Sequence, residues 1–374
     1  MVQKISLIFV LCYYTNFILS QEKSITDTAL VTESDSTIID SLTFTVRTDT
    51  LIIPVEAEQA FNNGTKLFAE KKYQQAIDSF NVALAIENRF IKAHFNRAAA
   101  YTEQMQYQKS IDDYNYIIEN DTIDSVDQSY FLAGKCWELL AAFDKALEYY
   151  SKAIEINNQD AHYFYNRGVL KFEREDFKES IEDFNKAIIL DENYAYAYND
   201  RGSAKRKLED LDGAIADYKL AVKNNPKLAF AYNNLGSVFR KKEQLKEAVE
   251  EYNLAIRFKE DYYIAYNNRG SAKFDLGDYE GAVADFTEAI NLNKDYAFAY
   301  NNRAAAKYKL KDYQGAIEDY DRAIKLDNKY AFAYANRGVS KEMARDADGA
   351  CKDWEKAAEM GVKTANSFIE NSCD

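Results

Sequence analysis

The chain has 374 residues, of which 47 are Lys or Arg and 61 are Asp or Glu, for a formal net charge of −14. That acidity argues against general binding to nucleic acid or anionic lipid, since both need phosphates neutralised by Lys and Arg, but leaves room for a local basic site. Only Pro54 and Pro226 could interrupt helices, and with only His94 and His162 the commonest general base is nearly missing.

The first twenty residues, MVQKISLIFVLCYYTNFILS, carry Lys4, then an apolar stretch, then Ser20 before the polar QEKS. This order reads as a secretory signal peptide over residues 1–20, cleaved near Ser20. The competing reading is an uncleaved anchor, but Thr15 and Asn16 interrupt a run already short of the ~20 residues that span a bilayer. Leu11, ahead of Cys12, is too large for the small residue of a lipoprotein signal. Cleavage removes the +1 of Lys4 from −14 and leaves −15. No stable membrane insertion is expected after it, and the mature chain is expected to be secreted or periplasmic. Residues 21–56, rich in Ser, Thr and Asp, read as a flexible leader. A strand around Ser41–Ile53 is the alternative, because LTFTVRTDTLII alternates, but it has no partner strand in this chain.

From about Ala57 to Thr364 one 34-residue unit recurs nine times, over 57–90, 91–124, 127–160, 161–194, 195–228, 229–262, 263–296, 297–330 and 331–364, with two extra residues before Asp127. Position 8 of the unit is Gly or Ala from Gly64 to Gly338, position 20 is Ala or Ser from Ala76 to Ala350, and position 27 is Ala except at Ile117. A fixed period of this length predicts a solenoid whose units bury their apolar faces only against neighbours. In the unit from Ala195 to Leu228, Tyr198, Gly202 and Lys205 lie along one side of a first helix, and Gly202 lets a second helix approach closely. Asp212 is expected to cap that second helix, which turns Ala214, Tyr218 and Ala221 inward.

These small residues at 8, 20 and 27, with an aromatic at 24, resemble the tetratricopeptide repeat (TPR) family over roughly residues 57–364. The resemblance implies an all-α fold: an α-solenoid, a right-handed superhelix of antiparallel helix pairs, nine TPR units plus a C-terminal capping helix over 361–374. A generic helical repeat of the same period would have nearly the same architecture. Arg stands at position 7 and Asp at position 23 in the same six units, as in Arg97/Asp113, Arg167/Asp183, Arg201/Asp217, Arg269/Asp285, Arg303/Asp319 and Arg337/Asp353. These pairs are expected to touch within each unit and to set register more than to add stability.

The resemblance also implies that first helices line a concave groove, which places position 6 on its wall. There stand Asn62, Asn96, Asn166, Asp200, Asn234, Asn268, Asn302 and Asn336, with Leu132 breaking the row. An amide offers donor and acceptor together, so the row can hold an extended peptide backbone, or each Asn can bond to the neighbouring helix. Position 5 adds Asn199, Asn233, Asn267 and Asn301. Position 2 adds Tyr196, Phe230, Phe298 and Phe332, which stack on a ligand or pack between units. Lys205, Arg206, Lys207 and Arg240, Lys241, Lys242 end two first helices, offering a seat for an acidic peptide or complementing the helix dipole. The TPR type that grips acidic chaperone tails needs Lys at position 5 and Asn at position 9; Asn233 and Ser237 do not match it. The third unit, with Trp137 and an almost wholly apolar first helix, reads by default as a buried seam, with a bend in the superhelix or an apolar pocket as the alternatives.

Beyond the expected signal lie Cys136, read as a buried free thiol, and Cys351 and Cys373. Gly361 stands between the last two, so antiparallel helices folded there bring the sulfurs level; outside the cytosol they form a disulfide, in the cytosol two thiols. The CKDWEKA segment with its final Cys resembles the ends of secreted bacterial TPR proteins. No phosphate-binding loop, nucleophile elbow or metal-ligand pair occurs, so neither enzymatic activity nor any cofactor or metal is expected. The expected function is a non-enzymatic scaffold whose groove, including Arg206 and Arg240, binds a protein or extended peptide partner. A carbohydrate- or envelope-polymer-binding protein is the alternative.

Overall fold

A computed structural model describes residues 53–120 and 125–373 of the chain. The expected signal segment and nearly all of the leader, with its alternating stretch, lie outside these residues. Among the described residues all regular structure is helical, in nineteen helices. They divide into two compact units, one ending at Leu208 and one starting at Glu209.

The unit ending at Leu208 holds four helix pairs: α1 (Val55–Ala69) with α2 (Tyr73–Ile86), α3 (Ile91–Glu103) with α4 (Tyr107–Asn120), α5 (Val126–Leu139) with α6 (Phe143–Ile156), and α7 (Ala161–Glu173) with α8 (Phe177–Leu190). The first helix of the next repeat, α9 (Ala195–Lys207), closes it. The unit from Glu209 opens with α10 (Leu211–Asn224) and continues with α11 (Ala229–Lys241), α12 (Leu245–Phe258), α13 (Tyr263–Asp275), α14 (Tyr279–Leu292), α15 (Ala297–Lys309), α16 (Tyr313–Leu326), α17 (Ala331–Met343), α18 (Ala347–Glu359) and α19 (Lys363–Ser372). Within each unit every helix packs on the next, and first helices of adjacent repeats also touch, α1 on α3, α7 on α9, and α11, α13, α15 and α17 in series. This is the serial packing of an α-solenoid. The leader ends earlier than expected, because α1 starts at Val55.

The closest approach inside each pair is a small residue at position 8 against the aromatic at position 24. A Cβ added at Gly64, Gly168, Gly236 or Gly270 would come within 2.6–2.9 Å of the ring of Phe80, Phe184, Tyr252 or Phe286. Those rings are almost completely buried, so a larger side chain would have to displace core atoms. Ala98 and Ala304 show that a methyl fits where the facing ring is Tyr114 or Tyr320, both still buried.

Between the two helices the chain turns through a left-handed residue at position 15: Lys71, Met105, Ala141, Glu175, Glu209, Glu243, Gly277, Lys311 and Arg345 all have positive φ. The residue after it, at position 16, becomes the N-cap. Asp210 Oδ1 accepts from the Gly213 amide at 2.9 Å, and Asp278, Asp312 and Asp346 repeat the contact with Gly281, Gly315 and Gly349. The cap expected at Asp212 is therefore two residues too late: α10 starts at Leu211, and Asp212 already lies in its first turn. The glycine belongs to the cap, since a Cβ there would meet the aspartate oxygen at 2.1–2.2 Å.

At the C-terminus, α19 lies on the last pair. Phe368 stacks on the fully buried Trp354 with ring centroids 5.0 Å apart, while Val362 and Ala365 are buried beside them. Cys351 and Cys373 are joined in a disulfide spanning 22 residues. Reducing it, or the Cys351→Ser/Cys373→Ser double variant, is expected to cost about 3 kcal/mol by releasing a loop of this length in the unfolded chain. Denaturant melts with and without reductant measure it, and coincident curves would mean that α19 holds without the bond.

Candidate functional site

The Arg and Asp columns meet as expected from the sequence in five repeats. Arg97, Arg167, Arg269, Arg303 and Arg337 each place Nε 2.8–2.9 Å and Nη2 2.5–2.7 Å from the two carboxylate oxygens of Asp113, Asp183, Asp285, Asp319 and Asp353. A lysine one turn further on, Lys171, Lys273, Lys307 or Lys341, binds the same carboxylate at 2.7–2.8 Å. In the second repeat position 11 is Tyr101, and His94, from one turn before the arginine, binds the other oxygen of Asp113 at 2.9 Å. The remaining guanidinium nitrogen reaches back to position 25 of the preceding repeat: Asn81, Ser151, Asn253, Thr287 or Asp321. One arginine thus fixes both the pair and the joint before it. This second contact escaped the sequence reading, although a polar column sixteen residues ahead of each arginine was there to see.

The repeats without the arginine solve the joint differently. The first repeat has no such joint to close, and there Asn63 donates within the pair to Ser79 at 2.9 Å. In the third, Tyr149 donates to Asn115 of the preceding second helix at 3.0 Å. In the sixth, Leu235 replaces the arginine. There burial pushes the Glu251 carboxyl up, and the charge of Lys219, at position 25 of the repeat before, opposes that shift.

The amide row divides. Asn268 donates to Asn233 and Asn302 to Asn267, each at 3.0 Å, so position 6 of one repeat bonds to position 5 of the repeat before. Tyr165 donates to Asp200 in the same register at 2.8 Å. Asp200, Asn268 and Asn302 are only 3%, 2% and 6% exposed, so the expectation that Asp200 and Asn268 face a ligand is corrected, while Asn302 still lines the cleft described below. Small residues at position 9 let adjacent first helices close over them, and they tie those helices together. Asn96 donates to Thr65 and Asn166 to the His162 carbonyl, both part-exposed. Asn62 is exposed, and Asn234 and Asn336 are half-buried. Burial pushes the Asp200 carboxyl up to about 6, against hydrogen bonds from Tyr165 and Asn199.

The aromatic row is half-buried and turned to its neighbours. Phe230 meets Tyr262 edge-on at 5.3 Å, and Phe298 packs between Tyr296 and Tyr330 at 5.8 and 5.4 Å. Tyr196 and Phe332 are also half-buried. The second basic cluster is wholly paired: Arg240, 8% exposed, with Asp275 at 2.7 Å, Lys241 with Glu209 at 2.6 Å, and Lys242 with Asp212. It therefore offers no ready seat for a carboxylate. Arg206 is half-buried. Trp137 carries the Lys145 ammonium 4.0 Å above its ring and meets Tyr149 edge-on. Cys136 is a buried free thiol whose pKa burial pushes up.

A cleft opens on the first-helix face of the unit from Glu209, across α11, α13 and α15. It is shallow and open to solvent, and is lined by Arg240, Ser271, Phe274, Asp275, Phe286, Asn302 and Ala305. Polar and apolar walls alternate there, as in sites that position a side chain of a bound chain. Among the described residues no group of three or more His, Cys, Asp or Glu side chains could hold a metal ion, and no helix is long and apolar enough to cross a membrane.

Known proteins share this pattern. Models described as TPR repeat or tetratricopeptide repeat match residues 127–160, 165–229, 236–275, 270–311 and 297–330. A Plasmodium falciparum protein named Hsp70-Hsp90 organising protein is 31% identical over 133 residues, 33% of this chain and 22% of its own length. The chain spans about a fifth of the length of the curated relatives it matches. Two solved structures share the fold: the APC/C hetero-tetramer Cut9-Hcn1 (TM-score 0.55, 14% identity, 86% of this chain and 77% of that chain) and a tetratricopeptide repeat protein from Parabacteroides merdae (TM-score 0.53, 16% identity, 67% of this chain and 100% of that chain). With its helix pairs, their position 8 to position 24 contacts and these matches, the chain belongs to the tetratricopeptide repeat family.

Proposed function

We propose that the protein is a non-enzymatic scaffold that holds a protein or extended peptide against its first-helix face, and that it works outside the cytosol. The observation that carries the binding reading is the cleft across α11, α13 and α15, which has side chains of both polarities within reach of one bound chain. TPR proteins as a family mediate protein–protein contacts, and the relatives named as chaperone organisers are of that kind. An acidic chaperone tail is not the partner favoured here. Position 5, where such a grip needs lysine, holds the buried Asn199, Asn233, Asn267 and Asn301. The carbohydrate reading loses support because Phe230 and Phe298 are committed to neighbouring tyrosines.

Export is supported by the Cys351–Cys373 disulfide, which oxidising compartments favour, together with the character of residues 1–20. Ala305→Leu fills the cleft from its half-exposed rim. The wild-type chain is expected to capture peptides from an array or proteins from its native envelope, and the variant to lose most of that capture at unchanged melting temperature. Retention on insoluble cell-wall polymer with no peptide or protein binding would sink the reading. Export is checked by the N-terminus of the native protein: Gln21 supports it, and an intact Met1 in the cytosolic fraction removes it.

A further inference from the structure

One serine in the cleft departs from the habit of its column. Ser203 and Ser237 each donate to the carbonyl four residues back, on Asn199 and Asn233. Ser271 occupies the same repeat position and is 5% exposed, yet its hydroxyl has no hydrogen-bond partner among the described residues, and it lines the cleft. One turn earlier on the same helix, the Asn268 side-chain oxygen is buried without a donor. Asn302, also in the lining, gives one amide hydrogen to Asn267 and accepts from Asn301, which leaves it a second amide hydrogen. The Asn268 oxygen is thus a buried polar group without a partner, which is costly, while the Ser271 hydroxyl opens on the cleft and is available to a ligand.

Charge narrows the class of ligand. Arg240 and Asp275 line the cleft as a pair 2.7 Å apart, so the wall has little net charge to attract either sign. An incoming carboxylate meets Asp275 and the chain's −14 balance; an incoming ammonium meets Arg240. The group that fits is neutral and carries donors and an acceptor together. Phe274, Phe286 and Ala305 add apolar walls suited to a short methylene stem. A hydroxyl has one donor; a primary carboxamide has two donors and a carbonyl oxygen.

We propose that this cleft receives an asparagine or glutamine side chain of the bound partner. Its amide hydrogens go to Ser271 Oγ and to the second Asp275 oxygen, and its carbonyl oxygen accepts from the Asn302 amide. The inference rests on the peptide-binding reading and gives it a sequence preference.

The test uses the full chain and a labelled peptide library in which one position is varied among Gln, Asn, Glu, Lys, Ser and Ala. Peptides with Gln or Asn are expected to bind about tenfold tighter than their Glu, Lys or Ala counterparts. Ser271→Ala, a residue the next repeat already carries at Ala305, is expected to keep the melting temperature and erase most of that preference. Peptides that bind with no preference for an amide, or a preference that survives Ser271→Ala, overturn the inference while leaving the scaffold reading in place. No peptide binding at all removes both. A preference for Ser-bearing peptides, or retention of glycans through Ser271, also overturns it, in favour of a hydroxyl ligand.

Discussion

Asp285→Ala is expected to lower the stability of the unit from Glu209 by about 3–5 kcal/mol, among the largest effects of any single change. Asp285 is 4% exposed and holds Arg269 by two hydrogen bonds and Lys273 by a third contact. Deleting the carboxylate leaves two half-buried cations facing each other, and the lost interaction is the smaller part of the cost. Arg269→Leu should cost less, since Lys273 still neutralises Asp285 and a leucine already occupies this position at Leu235. Urea unfolding of the three proteins checks the order. If Asp285→Ala loses less than about 1 kcal/mol, the triad behaves like a solvated surface pair and its assigned role is wrong.

Asp200→Asn is expected to stabilise the protein at neutral pH, the opposite of the usual outcome of a core substitution. The folded-state pKa of Asp200 is raised from 3.8 to about 6 by burial. A raised pKa means that the folded state favours the protonated acid. The stability this provides is present in full below about pH 4 and is lost as the pH climbs through 6. The loss is on the order of 3 kcal/mol once Asp200 is ionised. Asparagine restores the residue found elsewhere in the row and can still accept from Tyr165 without the charge. Wild type and variant should melt together near pH 4 and separate progressively up to pH 7.5, with the variant higher. A variant that is less stable at every pH would show that the carboxylate is ionised and well solvated where it sits.

The helix pairs were legible because their determinants lie within one repeat. Gly270 and Phe286, or Arg269 and Asp285, are sixteen residues apart in a unit whose period is plain, and the arginine and aspartate columns vanish together where Leu235 and Glu251 stand. The amide ladder was legible only in part. Asn302 meets Asn267, 35 residues back, and periodicity alone cannot say whether a polar column faces solvent or the same column one repeat away. The helix starts were misjudged at Asp212 because the left-handed residue before the cap is a glycine at Gly277 alone. Glu209 and Lys311 adopt that conformation without any compositional sign. The amide preference proposed for the cleft rests on an absence, the bond that Ser271 does not make, and no pattern of residue types encodes that.

The backward reach of the arginines has a consequence for how such an array can grow or shrink. Each joint is closed by a donor from the later repeat and a small polar acceptor from the earlier one, and the acceptors are interchangeable in kind: Asn253 for Arg269, Thr287 for Arg303, Asp321 for Arg337. Excising residues 297–330 would bring Arg337 up to Thr287 in the register that Arg303 now occupies. Loss or duplication of a single 34-residue module therefore leaves every lock matched to a key. The sixth repeat is the exception, because its leucine and Glu251 suit a predecessor that carries, as this one does, a lysine at position 25, Lys219.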